Sequence, residues 1–103
     1  MNSIPGISAE HSDQILALFK ALPEKTQILL FGSRAKGNFR EGSDIDIAVK
    51  GGSFGLDERN LILLKYDELN LPWKLDIVVY SLITDSALKE HIDRIGKPLI
   101  VRR

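Results

Sequence analysis

The sequence predicts an α/β (α+β) domain, a small mixed β-sheet with helices packed on it. Two observations carry this. Short apolar segments with strand-like patterning recur at residues 27–31, 44–49 and 75–80, and helical spacing fills the stretches around them. Glycine and proline mark most of the junctions between these segments. The 103 residues suit a single domain with one core, and no repeat, low-complexity tract or linker divides them.

The elements follow in order. Ser8 is placed to cap a first helix whose Ile15, Leu18, Phe19 and Leu22 share one face, and Pro23 stops it. Residues 27–31 form a short apolar run, read as a buried strand. Gly32-Ser33-Arg34-Ala35-Lys36-Gly37 is then a turn that opens a very short helix. Residues 44–49 alternate, with Asp44, Asp46 and Ala48 on one face and Ile45, Ile47 and Val49 on the other.

Gly51, Gly52 and Gly55 break the chain before a helix over 56–69, with Pro72 just beyond it. A third strand over 75–80 sets Asp76, Val78 and Tyr80 opposite Leu75, Ile77 and Val79. A last helix over 86–95 ends at Gly96 as a C-terminal cap, and 98–101 adds a short terminal strand. The brief connection between the first two strands permits an antiparallel pair. The whole helix between the second and third favours a parallel one.

Composition narrows the function. Hydrophobic residues make up 44% and charged residues 27%, ordinary for a globular chain. The 14 basic and 14 acidic side chains balance, so no basic excess speaks for a protein that grips nucleic acid by its phosphates. The absence of cysteine removes disulfides, thiolate zinc sites and cysteine nucleophiles together. Residues 1–6 lack the features of a signal peptide, and the apolar runs are too short to span a bilayer. A cytoplasmic protein without a membrane segment is expected.

The chemistry centres on aspartates. Asp44 and Asp46, two apart on a strand, leave the same face. Adjacent carboxylates repel, and a hard divalent cation resolves the conflict, because Mg²⁺ takes oxygen ligands, usually one or two carboxylates plus substrate phosphates. Asp76, on the next parallel strand, reaches the same region if the register allows. Three carboxylates on one cleft suit a two-metal site for displacement at phosphorus, with Asp76 also able to accept the attacking hydroxyl's proton. An Asp-x-Asp pair on a strand is more commonly a solvated face. Here the flanking positions are strongly apolar and a second strand repeats the arrangement, a local violation of β-propensity of the kind that falls at functional sites.

Gly32-Ser33 follows a strand and precedes a helical turn. Backbone N–H groups and the Ser33 hydroxyl are therefore available to a phosphate, and glycine lets the backbone approach closely. Arg34 and Lys36 are the nearby cations, candidates to bind the phosphates that could equally point into solvent. This is not a Walker loop. A Gly-Ser turn alone is weak evidence, but the full spacing Gly-Ser-x10-Asp-x-Asp arises by chance in roughly one chain of this length in a thousand.

With these residues in place, the sequence resembles the nucleotidyltransferase superfamily that includes DNA polymerase β. Within it the chain is most similar to the minimal nucleotidyltransferases, the small partners of HEPN-domain proteins. The matching block runs from Gly32-Ser33-Arg34-Ala35-Lys36-Gly37 to Gly42-Ser43-Asp44-Ile45-Asp46-Ile47-Ala48-Val49, with Asp76 at the third acidic position, and the likeness covers about residues 25–80. The resemblance implies the nucleotidyltransferase fold over a single domain, 1–103. It implies that Gly32 and Ser33 hold the triphosphate, that Asp44 and Asp46 ligate Mg²⁺, and that Asp76 completes the triad. It further implies an antitoxin that transfers AMP from ATP to a tyrosine of a helical HEPN toxin encoded beside it, in a hetero-oligomer. No second domain follows the catalytic core, so acceptor recognition is expected to depend on that partner. Two other functions share these residues: transfer to RNA or a small molecule, and a non-catalytic nucleotide-binding antitoxin that acts by occlusion.

Other residues carry plainer expectations. His11 and His91 are read as surface or cap residues, Trp73 as a packing anchor, and Glu41 as a solvated loop residue. The Arg102-Arg103 end is read as a frayed terminus. Leu61, Ile62, Leu64, Tyr66 and Leu69 cover more of a helix than one core-facing stripe needs, a hint of a protein interface.

Overall fold

A computed structural model describes residues 3–101 of the chain. Its elements are α1 (Ala9–Ala17), β1 (Gln27–Phe31), α2 (Gly32–Lys36), β2 (Ile45–Lys50), α3 (Leu56–Asp67), β3 (Leu75–Val79), a 3₁₀ turn (Tyr80–Leu82), α4 (Ser86–Ile95) and β4 (Lys97–Pro98). The four strands form one mixed sheet in the order β3-β2-β1-β4. β2 and β3 are parallel across the α3 crossover, as the intervening helix favours, and β1 and β2 are antiparallel, as their short connection permits.

Strand alternation divides the apolar side chains between two cores. Ile28, Leu30, Ile45, Ile47, Val49, Leu75, Ile77 and Val79 fill the larger one with Ile15, Leu16 and Phe19 of the first helical segment and Ile62 and Tyr66 of α3. Phe31, Ala48 and Ile92 form the smaller one, against which Leu29, Val78, Tyr80 and Leu88 pack. The central strand β2 is thus covered on both faces, which is why Ile47 and Ala48 are both fully buried.

Element ends differ from the sequence reading for local reasons. Regular α1 stops at Ala17, after which Leu18, Phe19 and Lys20 bond three residues back, a tightened turn that still delivers Phe19 to the core. α3 stops at Asp67 rather than 69, where Asn70 adopts a positive φ of 54°. Tyr80 leaves its strand for the 3₁₀ turn. Gly96 does follow α4, but at φ −59° it is not left-handed. What needs glycine there is space, since a Cβ would lie 2.5 Å from the Ile92 carbonyl oxygen.

β4 is shorter than the predicted 98–101, pairing Pro98 and Lys97 with Leu29 and Leu30, while the Leu99 N–H still bonds Ile28 O at 2.8 Å. Arg102 and Arg103 lie outside the described residues. Among the described residues no helix is long and apolar enough to cross a membrane.

Candidate functional site

The strand pairings bring the site together at one end of β2. In β1–β2, Phe31 lies opposite Asp46; in β2–β3, Asp46 lies opposite Asp76. Asp46 and Asp76 are half-buried, and Asp44 is exposed, one residue ahead of the strand start. Gly32 follows Phe31 directly and turns with φ +73°, and a Cβ there would collide with the Asp46 carboxylate. Only glycine satisfies both the left-handed backbone and the close approach. Ser33 is half-buried in the first turn of α2, which no side chain caps, and Gly37 closes that helix at φ 86° with its N–H on Ser33 O at 3.0 Å.

Electrostatics mark the same point. Burial raises the Asp46 carboxyl above its usual range, and the neighbouring charges of Asp76 and Asp44 push it further. Lys74 and His91 act in the opposite sense. A half-buried carboxylate facing two others is poised for a cation, and all of the nearby oxygen donors are hard. Among the described residues, however, no group of three His, Cys, Asp or Glu side chains is arranged to hold a metal ion by itself. By its chemistry the donor set, carboxylate oxygens beside a phosphate-facing turn, is of the hard kind that Mg²⁺ takes together with water and substrate phosphates.

Arg34 follows Ser33 on α2, but its side chain turns away from the phosphate turn. Only 1% exposed, its guanidinium points away into the body of the protein and donates to the carbonyls of Pro5, Glu41 and Ser43. Its donors are directed at these three carbonyls rather than at the Gly32-Ser33 turn. Lys36 is exposed on the last turn of α2.

Two residues near the site carried no sequence signal. His91 on α4 meets the Phe31 ring edge-on at 6.3 Å between centroids, beside the phosphate turn, rather than standing apart on the surface. Lys74 precedes β3. Both are visible only once the folded charges around Asp46 are known. His11 packs edge-on against Trp73, whose Nε1 donates to Glu41 O, so Trp73 is the packing anchor it was read as. Glu41 contributes its backbone carbonyl to this framework, beyond a solvated loop role. Leu61 and Leu64 are indeed exposed on α3, while Ile62 and Tyr66 are buried in the core.

A groove of about 430 Å³ runs along the β3 edge from Asp76, bordered by Leu56, Arg59, Leu82, Ile83 and Leu88. Leu56 and Leu82 are exposed. Arg59 crosses the edge to donate from Nε to Ile77 O at 2.6 Å.

Comparison with known proteins agrees with this geometry. The family model described as polymerase beta, nucleotidyltransferase matches residues 13–103. Among solved structures, the chain is similar to a protein from a toxin–antitoxin complex with AMP-PNP, at 26% identity and a TM-score of 0.66, over 88% of this chain and 73% of that one. Two MntA-HpeT toxin–antitoxin structures share the fold. One, with two aspartates changed to glutamate, is 23% identical over 88% of this chain and 73% of that one, with a TM-score of 0.63. The other, with a tyrosine changed to alanine, is 24% identical over 88% and 72%, with a TM-score of 0.60. No match is found among curated proteins.

Proposed function

Since the chain belongs to the polymerase beta nucleotidyltransferase family, we propose that it transfers AMP from ATP, with Mg²⁺, to a hydroxyl of a protein partner. The acceptor is a tyrosine of a HEPN-domain toxin, which the modification neutralises in the cytoplasm. The observation that carries this is the parallel register of Asp46 with Asp76, beside Asp44 and against the Gly32 turn.

In this reading Gly32 and Ser33 hold the triphosphate through backbone N–H groups and the Ser33 hydroxyl. Asp44, Asp46 and Asp76 would hold Mg²⁺, which would supply charge neutralisation at the phosphates and a lower pKa for the acceptor hydroxyl. The acceptor oxygen forms a bond to the α-phosphorus, the bond to the bridging oxygen breaks, and pyrophosphate departs with its electron pair. Asp76, facing the open edge groove, accepts the hydroxyl proton. The apolar border of that groove suits a protein acceptor better than a polyanionic strand, and the complex with AMP-PNP is itself a toxin–antitoxin pair.

Incubation with labelled ATP, Mg²⁺ and purified partner should label the partner. Asp44→Asn and Asp46→Asn should each reduce labelling by at least about 100-fold, the usual scale for removing a group that stabilises transition-state charge. Undiminished labelling by both variants would overturn the mechanism. Full neutralisation of the toxin by both, without labelling, would assign an antitoxin that acts by occlusion.

A further inference from the structure

Arg34 is the largest side chain that is fully buried, and the transfer chemistry does not use it. Its Nη1 donates to Pro5 O at 2.7 Å; its Nη2 donates to Ser43 O at 2.8 Å and Glu41 O at 3.2 Å; its Nε donates to Ser43 O at 3.2 Å. The guanidinium also lies over the Phe39 ring, 5.2 Å from its centroid. Burying a cation on neutral carbonyls is costly, and burial does lower the Arg34 pKa, with the Asp44 charge acting the other way. A neutral apolar side chain would fill the same space without that cost. Cost of this kind is repaid where a fixed geometry is needed, and the carbonyls concerned belong to the two residues that lead toward Asp44 and to the N-terminal segment.

The loop is tied on both sides of this contact. The Ser43 N–H bonds Arg40 O at 3.0 Å, the Ser43 Oγ accepts from Arg40 N at 2.8 Å, and Trp73 Nε1 shares the Glu41 carbonyl at 3.2 Å. On the far side, Ile4 and Ile7 bury the N-terminal segment in the main core, and Gly6 between them turns with φ +80°. A Cβ on Gly6 would strike the Phe39 ring and lie 2.9 Å from Arg34 Nη1. Since Arg34 stands one residue after Ser33 on α2, one side chain links the phosphate turn, the aspartate loop and the N-terminal segment.

We propose that Arg34 is a positioning residue, whose buried guanidinium fixes residues 41–43 and thereby the point from which Asp44 reaches the metal–nucleotide. The planar fork is what the role requires, because it addresses three carbonyls in one plane where an ammonium is a single point charge. The inference rests on the proposed function only in taking Asp44 as a ligand.

The test is binding of a fluorescent ATP analogue by the full chain, titrated with Mg²⁺ at fixed nucleotide. Arg34→Lys keeps the charge and loses the fork. It should raise the Mg²⁺ concentration for half-maximal binding by about 10- to 100-fold, as loss of a group that orients a ligand does. Metal-free binding of the analogue should stay as in the wild type. Gly6→Ala, which presses on the Phe39 ring and the same guanidinium from the N-terminal segment, should shift the Mg²⁺ requirement in the same direction, and it serves where Arg34→Lys does not fold. A lowered melting temperature with an unchanged Mg²⁺ requirement in either folded variant would make Arg34 a packing residue only and overturn the inference. A wild-type chain whose nucleotide binding ignores Mg²⁺ would overturn the metal reading as well.

Discussion

Gly32→Ala tests the core of the site, because two separable costs meet at that residue. The first is conformational. At φ +73° an L side chain sits in the left-handed region, at roughly 1–2 kcal/mol, offset by about 0.4–1 kcal/mol from the stiffer unfolded chain. The second is the collision of the new Cβ with the Asp46 carboxylate, an overpacking of about 1–3 kcal/mol. Gly37→Ala isolates the first cost, since Gly37 has φ +86° and nothing within 4 Å of a Cβ.

On the scale of about 4–8 °C per kcal/mol for a domain of this size, Gly37→Ala should lower the melting temperature by roughly 4–8 °C. Gly32→Ala should lower it by about twice that or more, and weaken nucleotide binding as Asp46 is displaced. Removing the carboxylate as well, in Gly32→Ala/Asp46→Ala, should recover the collision part as a coupling energy of about 1–3 kcal/mol in a double-mutant cycle. Thermal melts followed by circular dichroism measure all five proteins, the wild type, Gly37→Ala and the three variants of the Gly32/Asp46 cycle. Equal losses for the two glycine variants, with no coupling to Asp46, would refute the close approach of the phosphate turn to the carboxylate.

Two further outcomes follow from neighbouring features. The Asp46 pKa is raised in the folded chain above its ordinary 3.8, so the folded state holds a proton that the unfolded state has already lost, and stability falls as pH rises through that interval. Metal-free Asp46→Asn should therefore melt higher than the wild type at neutral pH, with the advantage gone once pH drops below the unfolded-state pKa; an equal melting temperature at pH 7 contradicts the burial of the Asp46 carboxylate and its crowding by Asp76 and Asp44. Arg59→Ala removes the 2.6 Å bond to Ile77 O and should cost about 1–3 kcal/mol, and it uncovers the β3 edge, so light scattering should detect self-association at concentrations where the wild type stays dispersed.

The alternation of Ile45, Ile47 and Val49 against Asp46 and Ala48 was readable from the sequence, because one apolar face fixes strand phase. So was the parallel sense of β2 and β3, favoured by the helix between them, while the short β1–β2 connection only allowed the antiparallel pair. The residue-level match of Asp46 to Asp76 was not, since a slip by two residues preserves the faces and only the packed helices choose between registers. Arg34 misleads for a related reason. In a motif it is the cation beside a phosphate turn, but its direction depends on Pro5, 29 positions away, and on a loop with no regular structure. His91 was hidden because nothing in its own helix says that α4 will pack beside Phe31.

The place of the carboxylates follows from how unevenly the sheet is covered. One face is filled mainly by isoleucine, leucine and phenylalanine, with Tyr66, and this buried cluster holds no carboxylate. The other is covered by α4, where Ile92 packs with Phe31 and Ala48 in a much smaller core. Ala48 and Val78 lie two residues along their strands from Asp46 and Asp76, on the same face. A carboxylate at the fully buried position 48 would be sealed beside Ile92 and would have to take up a proton. Moved the other way, beyond the strand starts, it would be as exposed as Asp44, and solvent would screen its repulsion from the other carboxylates more strongly. Positions 46 and 76 lie between these limits, half-buried, where repulsion is strong enough to favour a divalent cation and the ligand still has a way in. The edge of the α4 cover therefore selects where on this sheet an Asp-x-Asp pair can work.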